Sequence, residues 1–76
     1  MLHDLINAVK LTEEDGKIYA RGRSYKEGVG NNKRAALADF ALKNELPTEG
    51  YSAEDNGVYV RENARKLGLA IIDEVR

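Results

Sequence analysis

The chain contains no cysteine, and in a sequence of 76 residues this absence constrains the fold more than any other single feature. Disulfide frameworks and thiolate zinc sites, which stabilise many chains of this length, are both excluded. The fold must therefore rest on apolar packing, although so short a chain buries only about 60% of the surface that its unfolded form exposes. One core is all that it can form, so we expect a single domain over residues 1–76.

The lack of cysteine is also typical of proteins in a reducing compartment, and it predicts a cytoplasmic location. The longest apolar stretch runs from Leu67 to Ile72 and is interrupted by a glycine. A membrane helix needs roughly 20 apolar residues. The first residues also lack the basic start and apolar run of a signal peptide. We therefore expect a soluble protein without a membrane partner.

The N-terminal segment fits two kinds of secondary structure. The apolar residues from Leu2 to Val9 recur at the spacing of one helical face, which favours a short helix over residues 2–10. The alternation from Leu5 to Leu11 leaves a strand possible over the same stretch. We expect the helix.

A hairpin is predicted to follow. Residues 13–16 form a turn, because the glycine tolerates positive φ and the three carboxylates favour water. A strand begins at Lys17, and a second short strand can pair back from Tyr25 and end in Gly28-Val29-Gly30. One face of the first strand is small and apolar, whereas the other is aromatic and cationic. The second face carries Lys17, Tyr19, Arg21, Arg23 and Tyr25.

The most strongly indicated element is a helix from Lys33 to about Leu46. Asn31 and Asn32 precede it, and asparagine is among the best N-cap residues because its side-chain oxygen accepts hydrogen bonds from first-turn amides. Pro47 prevents its continuation. The predicted buried stripe consists of Ala36, Leu37, Phe40 and Ala41.

Two interpretations are open for the C-terminal segment. Apolar residues from Val60 to Val75 recur on one helical face, which favours an uninterrupted helix. Alternatively, Gly68 caps a shorter helix at Leu67, and a buried strand begins at Leu69. We expect the uninterrupted helix.

A loop over residues 47–50 and a sequence similar to a capping box over residues 52–55 separate this segment from the central helix. No repeat or long linker divides the chain. Together the elements predict an α+β fold, in which a small antiparallel sheet of two to three strands packs against two to three helices.

Catalysis and metal binding have little support in the sequence. The chain's one histidine is His3, and no cysteine is present, so a serine-type or cysteine-type nucleophilic site is not expected. Adjacent carboxylates occur at three places, but neighbouring side chains on a helix or strand diverge instead of converging on one ligand. The spaced acidic pattern of a calcium loop is missing. We expect no enzyme activity, no metal and no cofactor.

Charge is distributed unevenly along the chain, although the formal net charge is only −1. Acids outnumber bases in residues 1–16 and again from residue 35 onward, whereas residues 17–34 hold six bases and one acid. The six bases are Lys17, Arg21, Arg23, Lys26, Lys33 and Arg34. Such an asymmetry is typical of a surface that meets a negatively charged partner.

Two of these bases stand where helix electrostatics disfavours them. Lys33 and Arg34 occupy the first turn of the predicted helix, where each misplaced cation costs roughly 0.3–1 kcal/mol. A phosphate would compensate by accepting hydrogen bonds from the free amides and from both cations. The strand face suits the same ligand, because Tyr19 and Tyr25 can stack on unpaired bases while arginines bind phosphates.

The segment Lys26–Ala36 resembles the end of the double-stranded RNA-binding domain, where a strand finishes in Gly-Glu-Gly-x-Gly, and a small polar residue and Lys-Lys-x-Ala open the last helix. The resemblance covers about residues 17–46, although Leu37 replaces a third lysine of the family and Lys26 replaces a glycine. It implies that the helix N-terminus contacts the phosphates of an RNA groove. The matching residues are Gly28, Gly30, Asn32, Lys33, Arg34, Ala36 and Ala41.

The sequence therefore predicts a non-catalytic module that binds RNA or DNA through a basic helix N-terminus and a basic strand face. The expected contact residues are Lys33, Arg34, Asn31, Asn32, Lys26, Arg21, Arg23, Tyr19 and Tyr25. The alternative is a small protein-interaction or regulatory module. It would dock an acidic protein partner through the same basic residues, or form a homodimer through its C-terminal apolar segment.

Overall fold

A sheet of four strands carries two helices in the computed structural model, which describes residues 8–47 and 55–75. This arrangement confirms the predicted α+β class. In chain order the elements are β1 (Ala8–Glu14), β2 (Lys17–Gly22), β3 (Gly28–Gly30), α1 (Lys33–Lys43), α2 (Asn56–Glu62) and β4 (Ala70–Asp73). No helix among these has the length and apolarity needed to cross a membrane.

The sheet is mixed, with the strand order β3-β2-β1-β4. Strands β1, β2 and β3 form an antiparallel meander, whereas β4 pairs in parallel with β1. The sheet thus has one strand more than the two to three that were predicted. The additional strand, β4, pairs in parallel, whereas an antiparallel sheet was predicted. A parallel neighbour needs a long crossover connection, and here α1 and α2 supply it.

The structure places β1 where the sequence favoured a helix. Residues 8–10 lie in this strand, so the predicted helix over residues 2–10 is wrong for its described part, and residues 1–7 lie outside the described residues. Val9 and Leu11 are fully buried. Both edges of β1 are paired, to β2 and to β4, and this tertiary pairing outweighs the helical spacing of the apolar residues.

The β1–β2 turn lies at Asp15 and Gly16, within the predicted residues 13–16. Both residues have positive φ, 52° and 80°, which suits a tight hairpin. Strand β2 begins at the predicted Lys17 and buries Ile18 and Ala20. The alternation of a small apolar face with a polar face therefore holds along β2.

Helix α1 begins as predicted, because the side chain of Asn32 accepts a hydrogen bond from the Ala35 amide at 2.8 Å. The predicted stripe of Ala36, Leu37, Phe40 and Ala41 is buried. The helix ends at Lys43, three residues before the predicted Leu46. Asn44 and Glu45 end the helix. The side chain of Asn44 accepts from the Lys26 amide and donates to the Lys26 carbonyl oxygen. Glu45 has a positive φ of 52°, which is not a helical angle.

The C-terminal segment follows the alternative with a strand. Helix α2 ends at Glu62, turns occupy residues 63–68, and β4 begins at Ala70, so the predicted uninterrupted helix is wrong. Gly68 has a φ of 75°, which favours glycine and ends the helical path. Of the predicted capping box, residues 52–54 lie outside the described residues. Asp55, its last residue, is the N-cap residue of α2 and makes no side-chain cap hydrogen bond to that helix.

The core lies between one face of the sheet and the two helices. Helix α2 packs against α1, and both contribute to a cluster with β1 and β2. Its fully buried large side chains are Phe40, Leu11, Leu37, Val9 and Val60. The cross-strand pairs Lys10–Arg21 and Thr12–Tyr19 lie on the opposite face of the sheet, since successive strand residues alternate between faces.

The path of the chain gives the molecule two distinct ends. At one end Ile18 pairs with Gly30, and the chain continues from Gly30 into α1. An open groove lies beside this start of α1, so we call it the groove end. Helix α1 then runs back and finishes where Asn44 binds Lys26, beside residues 23–27; we call this the loop end. The 11 residues of α1 separate the two ends by about 16 Å.

Candidate functional site

The groove end carries an open depression of about 590 Å³ beside the start of helix α1. Ile18 of β2 and Val75, which follows β4, form the apolar part of its wall. Polar residues at the start of α1 form the rest of the wall. The lining residues are Ile18, Asn31, Asn32, Lys33, Arg34 and Val75. All four of the polar residues are among the predicted contact residues.

The backbone at this end of α1 offers hydrogen-bond donors. Asn32 caps the Ala35 amide with its side chain and accepts from the Ala36 amide with its carbonyl oxygen. The amides of Lys33 and Arg34 have no partner among the described residues. No acidic residue lies in the first turn, so the positive end of the helix dipole is not balanced there.

Asp73, the last residue of β4, forms the ion pairs at this end. Its Oδ2 accepts from Lys33 Nζ at 2.6 Å and from Arg61 Nη2 at 3.3 Å, while Oδ1 accepts from the Val75 amide at 2.9 Å. The hydrogen bond from Lys33, together with that from the Val75 amide, lowers the pKa of Asp73 below its usual value. The carboxylate is therefore charged at neutral pH.

Arg61 joins the ion pairs beside this site through Asp73, and the sequence did not predict it. It lies in the last turn of α2, and that helix approaches α1 closely because Gly57 has no side chain. A Cβ atom on Gly57 would lie 1.9 Å from the carbonyl oxygen of Arg34. In the sequence, Gly57 alone indicates such packing, because glycine lets another backbone approach closely. It does not show which helix approaches.

Ion pairs neutralise the cations near the start of α1 only in part. Lys33 and Arg61 share the one carboxylate of Asp73, and Arg34 is exposed without an ion pair among the described residues. Lys33 thus has a partner within the chain that the sequence did not reveal, because Asp73 lies 40 residues further along.

Arg21 lies on the open face of the sheet and is neutralised there. Its guanidinium donates to Glu27 and to Glu14, each at 2.6 Å, and lies 4.4 Å from the centre of the Tyr19 ring. The hydrogen bonds to Glu27 and Glu14 raise its pKa above the usual value. Because Arg21 already binds two carboxylates and covers Tyr19, neither of these two predicted contact residues is free on this face.

The other predicted contact residues lie away from the groove. Tyr25 is not on the aromatic strand face: β2 ends at Gly22, and Tyr25 packs against Phe40 with ring centroids 5.2 Å apart. Arg23 and Lys26 are exposed at the loop end. The predicted basic surface is therefore divided, because α1 separates Arg23 and Lys26 from Lys33 and Arg34.

The described residues hold no group of three or more side chains suited to binding a metal ion. Comparison with known proteins finds no family model that matches the chain, and neither a curated protein nor a solved structure resembles it. The resemblance to the double-stranded RNA-binding domain therefore stays a prediction.

Proposed function

We propose that the chain binds the phosphate backbone of a nucleic acid, RNA or DNA, at the groove end and carries out no catalysis. The observation that carries the proposal is the group of cations near the start of α1. Lys33 and Arg61 share one carboxylate, and the exposed Arg34 has no ion pair among the described residues. Two backbone amides without partners among the described residues lie beside them. Phosphate oxygens accept from both kinds of donor, and the helix dipole adds to the attraction.

The form of the groove favours an extended ligand. Pockets for small molecules are usually concave, mostly apolar and nearly closed around the ligand. This groove is open, so it would not close around a small molecule, and four of its six lining residues are Asn31, Asn32, Lys33 and Arg34. Asparagine and backbone amides fix the position of a phosphate chain without reading its sequence. We therefore propose contacts to the backbone and not to base edges.

The resemblance noted in the sequence supports the same proposal. Its segment corresponds to the end of β3, the Asn32 cap and the first turn of α1, which all adjoin the groove. In the double-stranded RNA-binding domain the same segment contacts RNA phosphates.

We also propose that the chain is located in the cytoplasm, because it contains no cysteine, as is typical of proteins in a reducing compartment.

Two double variants test the proposal, because they remove the same charge from opposite ends of α1. K33Q/R34Q removes two cations from the groove end, and R23Q/K26Q removes two from the loop end. We expect K33Q/R34Q to weaken binding roughly tenfold or more and to make its salt dependence shallower, because fewer counterions are released. The control should stay within about twofold of wild type, since long-range charge effects are screened.

The measurement is fluorescence anisotropy at low salt with labelled RNA and DNA oligonucleotides, each single-stranded and duplex. Circular dichroism confirms that both variants are folded. Equal weakening by the two double variants would indicate a general charge effect and contradict a site at the groove end. Absence of binding by the wild-type chain to all four ligands would refute the proposed function.

Self-association is the second candidate, and the position of β4 favours it over docking through the basic residues. This strand lies at the edge of the sheet, so one side of its backbone is unpaired with any described strand. Of the C-terminal apolar segment, Leu69 is buried and Ile71 packs against the core, while Ile72 is 38% exposed. A homodimer would thus pair β4 edges, and light scattering over a range of concentrations would detect it.

A further inference from the structure

We infer that the Asp73 carboxylate is an internal anion, which occupies part of the phosphate-binding site and is displaced when a nucleic acid binds. This inference rests on the proposed function and adds a residue that limits the affinity of the groove. It follows from what Asp73 contacts, from where it lies in β4, and from the charge that it leaves behind.

The contacts of Asp73 are those that a phosphate would make. One oxygen accepts from Lys33 Nζ at 2.6 Å and from Arg61 Nη2 at 3.3 Å, and the other accepts from the backbone amide of Val75. Ammonium, guanidinium and amide groups are the usual donors to phosphate oxygens. Val75 and Lys33 also line the groove. The carboxylate and an incoming phosphate would therefore compete for the same donors.

Asp73 is placed so that it can leave these donors at little cost to the core. It is the last residue of β4, and its side chain remains 27% exposed. Both of its ion pairs lie near the surface, where such pairs contribute little to stability. The segment stays anchored without this side chain, because Leu69 is buried, Val75 packs against the core, and the Glu74 amide donates to the Leu11 carbonyl oxygen at 2.9 Å. Release of Asp73 would thus move its side chain and leave β4 in place.

The carboxylate also lowers the charge of the site. With Asp73 ionised, the cluster of Lys33, Arg61 and Asp73 carries a net charge of about +1 instead of +2, because each ionised group contributes one unit. A phosphate that takes its place gains the pairs with Lys33 and Arg61 but repels the carboxylate nearby. Removal of the carboxylate should therefore strengthen binding, whereas a purely structural ion pair would leave the affinity unchanged.

The test compares D73N with D39N. Asp39 is a matched control: its side chain is 25% exposed, it pairs with Lys43 at 2.8 Å, and it accepts from the Val29 amide as Asp73 accepts from the Val75 amide. Both variants raise the net charge by one unit, and asparagine can still accept from the backbone amide in each. We expect D73N to bind RNA or DNA oligonucleotides roughly threefold to tenfold more tightly than wild type, and D39N to stay within about twofold.

A second variant and a second measurement keep the test decisive if D73N folds poorly. D73S also removes the carboxylate and retains an oxygen that can accept from Val75, and it should strengthen binding to a similar degree. Amide hydrogen exchange of the wild-type chain should become faster at Val75 when the oligonucleotide is bound, because its amide loses the Asp73 acceptor, while β4 stays protected.

Each outcome decides between the two proposals. Tighter binding by D73N or D73S, with D39N unchanged, supports Asp73 as an internal competitor. Equal affinities of D73N, D39N and wild type overturn this inference, whereas the loss of binding in K33Q/R34Q would still uphold the site. If neither wild type nor D73N binds any oligonucleotide at low salt, the proposed function is refuted, and the role of Asp73 with it.

Discussion

Two aspartates, Asp39 and Asp73, have pKa values below the usual aspartate value, for different balances of causes. Partial burial opposes ionisation of Asp39, but hydrogen bonds from Lys43 and from the Val29 amide outweigh it. At Asp73 the hydrogen bond from Lys33 is the main cause, and the Val75 amide adds to it. In both cases the folded chain stabilises the charged form more than the unfolded chain does.

Acid should therefore destabilise the chain through these two residues. A lowered pKa in the folded state contributes stability that is present above the unfolded value of about 3.9 and is lost as the pH falls through the folded value. We expect the free energy of unfolding to fall as the pH is lowered from about 5 to 2, and to fall less steeply in D39N/D73N. Urea unfolding at a series of pH values measures both slopes, and equal slopes would contradict this assignment.

At the scale of elements, Gly57 determines how closely α2 packs on α1. The carbonyl oxygen of Arg34 occupies the position that a side chain would need. We expect G57A to separate the helices and to lower the free energy of unfolding by about 1–3 kcal/mol, as overpacking does. It should also weaken oligonucleotide binding, because Arg61 would move away from Asp73 and Lys33.

The control for this variant is G16A, at a position where an added Cβ meets no atom within 4 Å. Gly16 has a φ of 80°, so alanine there costs only backbone strain of about 1 kcal/mol. Urea unfolding and anisotropy measure the two effects. A G57A chain with wild-type affinity would show that the approach of α2 does not position Arg61.

Helix α1 could be predicted from the sequence, whereas β1 could not. The asparagine cap, the apolar period and Pro47 all indicate the same helix, and its buried stripe is confirmed. The apolar residues of β1 fit a helix and a strand equally well, and the choice depends on β2 and β4 pairing with its two edges. Pairing with a strand some 60 residues away is not visible in a local pattern.

Whether the C-terminal segment forms a longer helix or the strand β4 depends on the backbone angle φ of Gly68. The apolar residues near the C-terminus suit either a helix or a strand, and Gly68 decides between them by adopting a φ of 75°. The sequence shows that glycine can adopt this angle but not that it does. The value of that angle follows from the burial of Leu69 and the pairing of Ile71 with Val9, which are contacts of the complete fold.

At the scale of the whole molecule, one aromatic ring holds the layers together. Phe40 is fully buried and contacts Tyr25 beside the core cluster of sheet and helices. We expect F40A to cost about 3–5 kcal/mol, which is close to the entire stability of a domain of this size. L42A lies on the same helix and is the control, since Leu42 is 73% exposed and should cost within about 0.5 kcal/mol.

Thermal unfolding followed by circular dichroism measures both variants. F40A should be largely unfolded at room temperature, whereas L42A should melt near the wild-type temperature. A cooperative transition of F40A close to that of wild type would show that the core does not depend on this ring.

The candidate site could be predicted only in part, because a continuous basic segment of sequence need not form a continuous surface. Lys33 and Arg34 could be identified from their place at a helix start. Arg23 and Lys26 are near them in sequence but lie at the loop end, because α1 begins at one end and finishes at the other. Arg61 and Asp73 could not be found, since only the packing of α2 and the pairing of β4 bring them to Lys33.

The parallel pairing of β1 with β4 has a consequence for the synthesis of the chain. Residues 8–11 pair with residues 70–73, so β1 keeps one open edge until β4 has been translated. At roughly 5–20 residues per second, the growing chain would spend several seconds in that state on the ribosome. An open edge is a template for other nascent strands. We therefore expect misassembly of this chain to begin at that edge of β1 before β4 has been added, whereas in the folded chain the edge next to β1 belongs to β4, which is only four residues long.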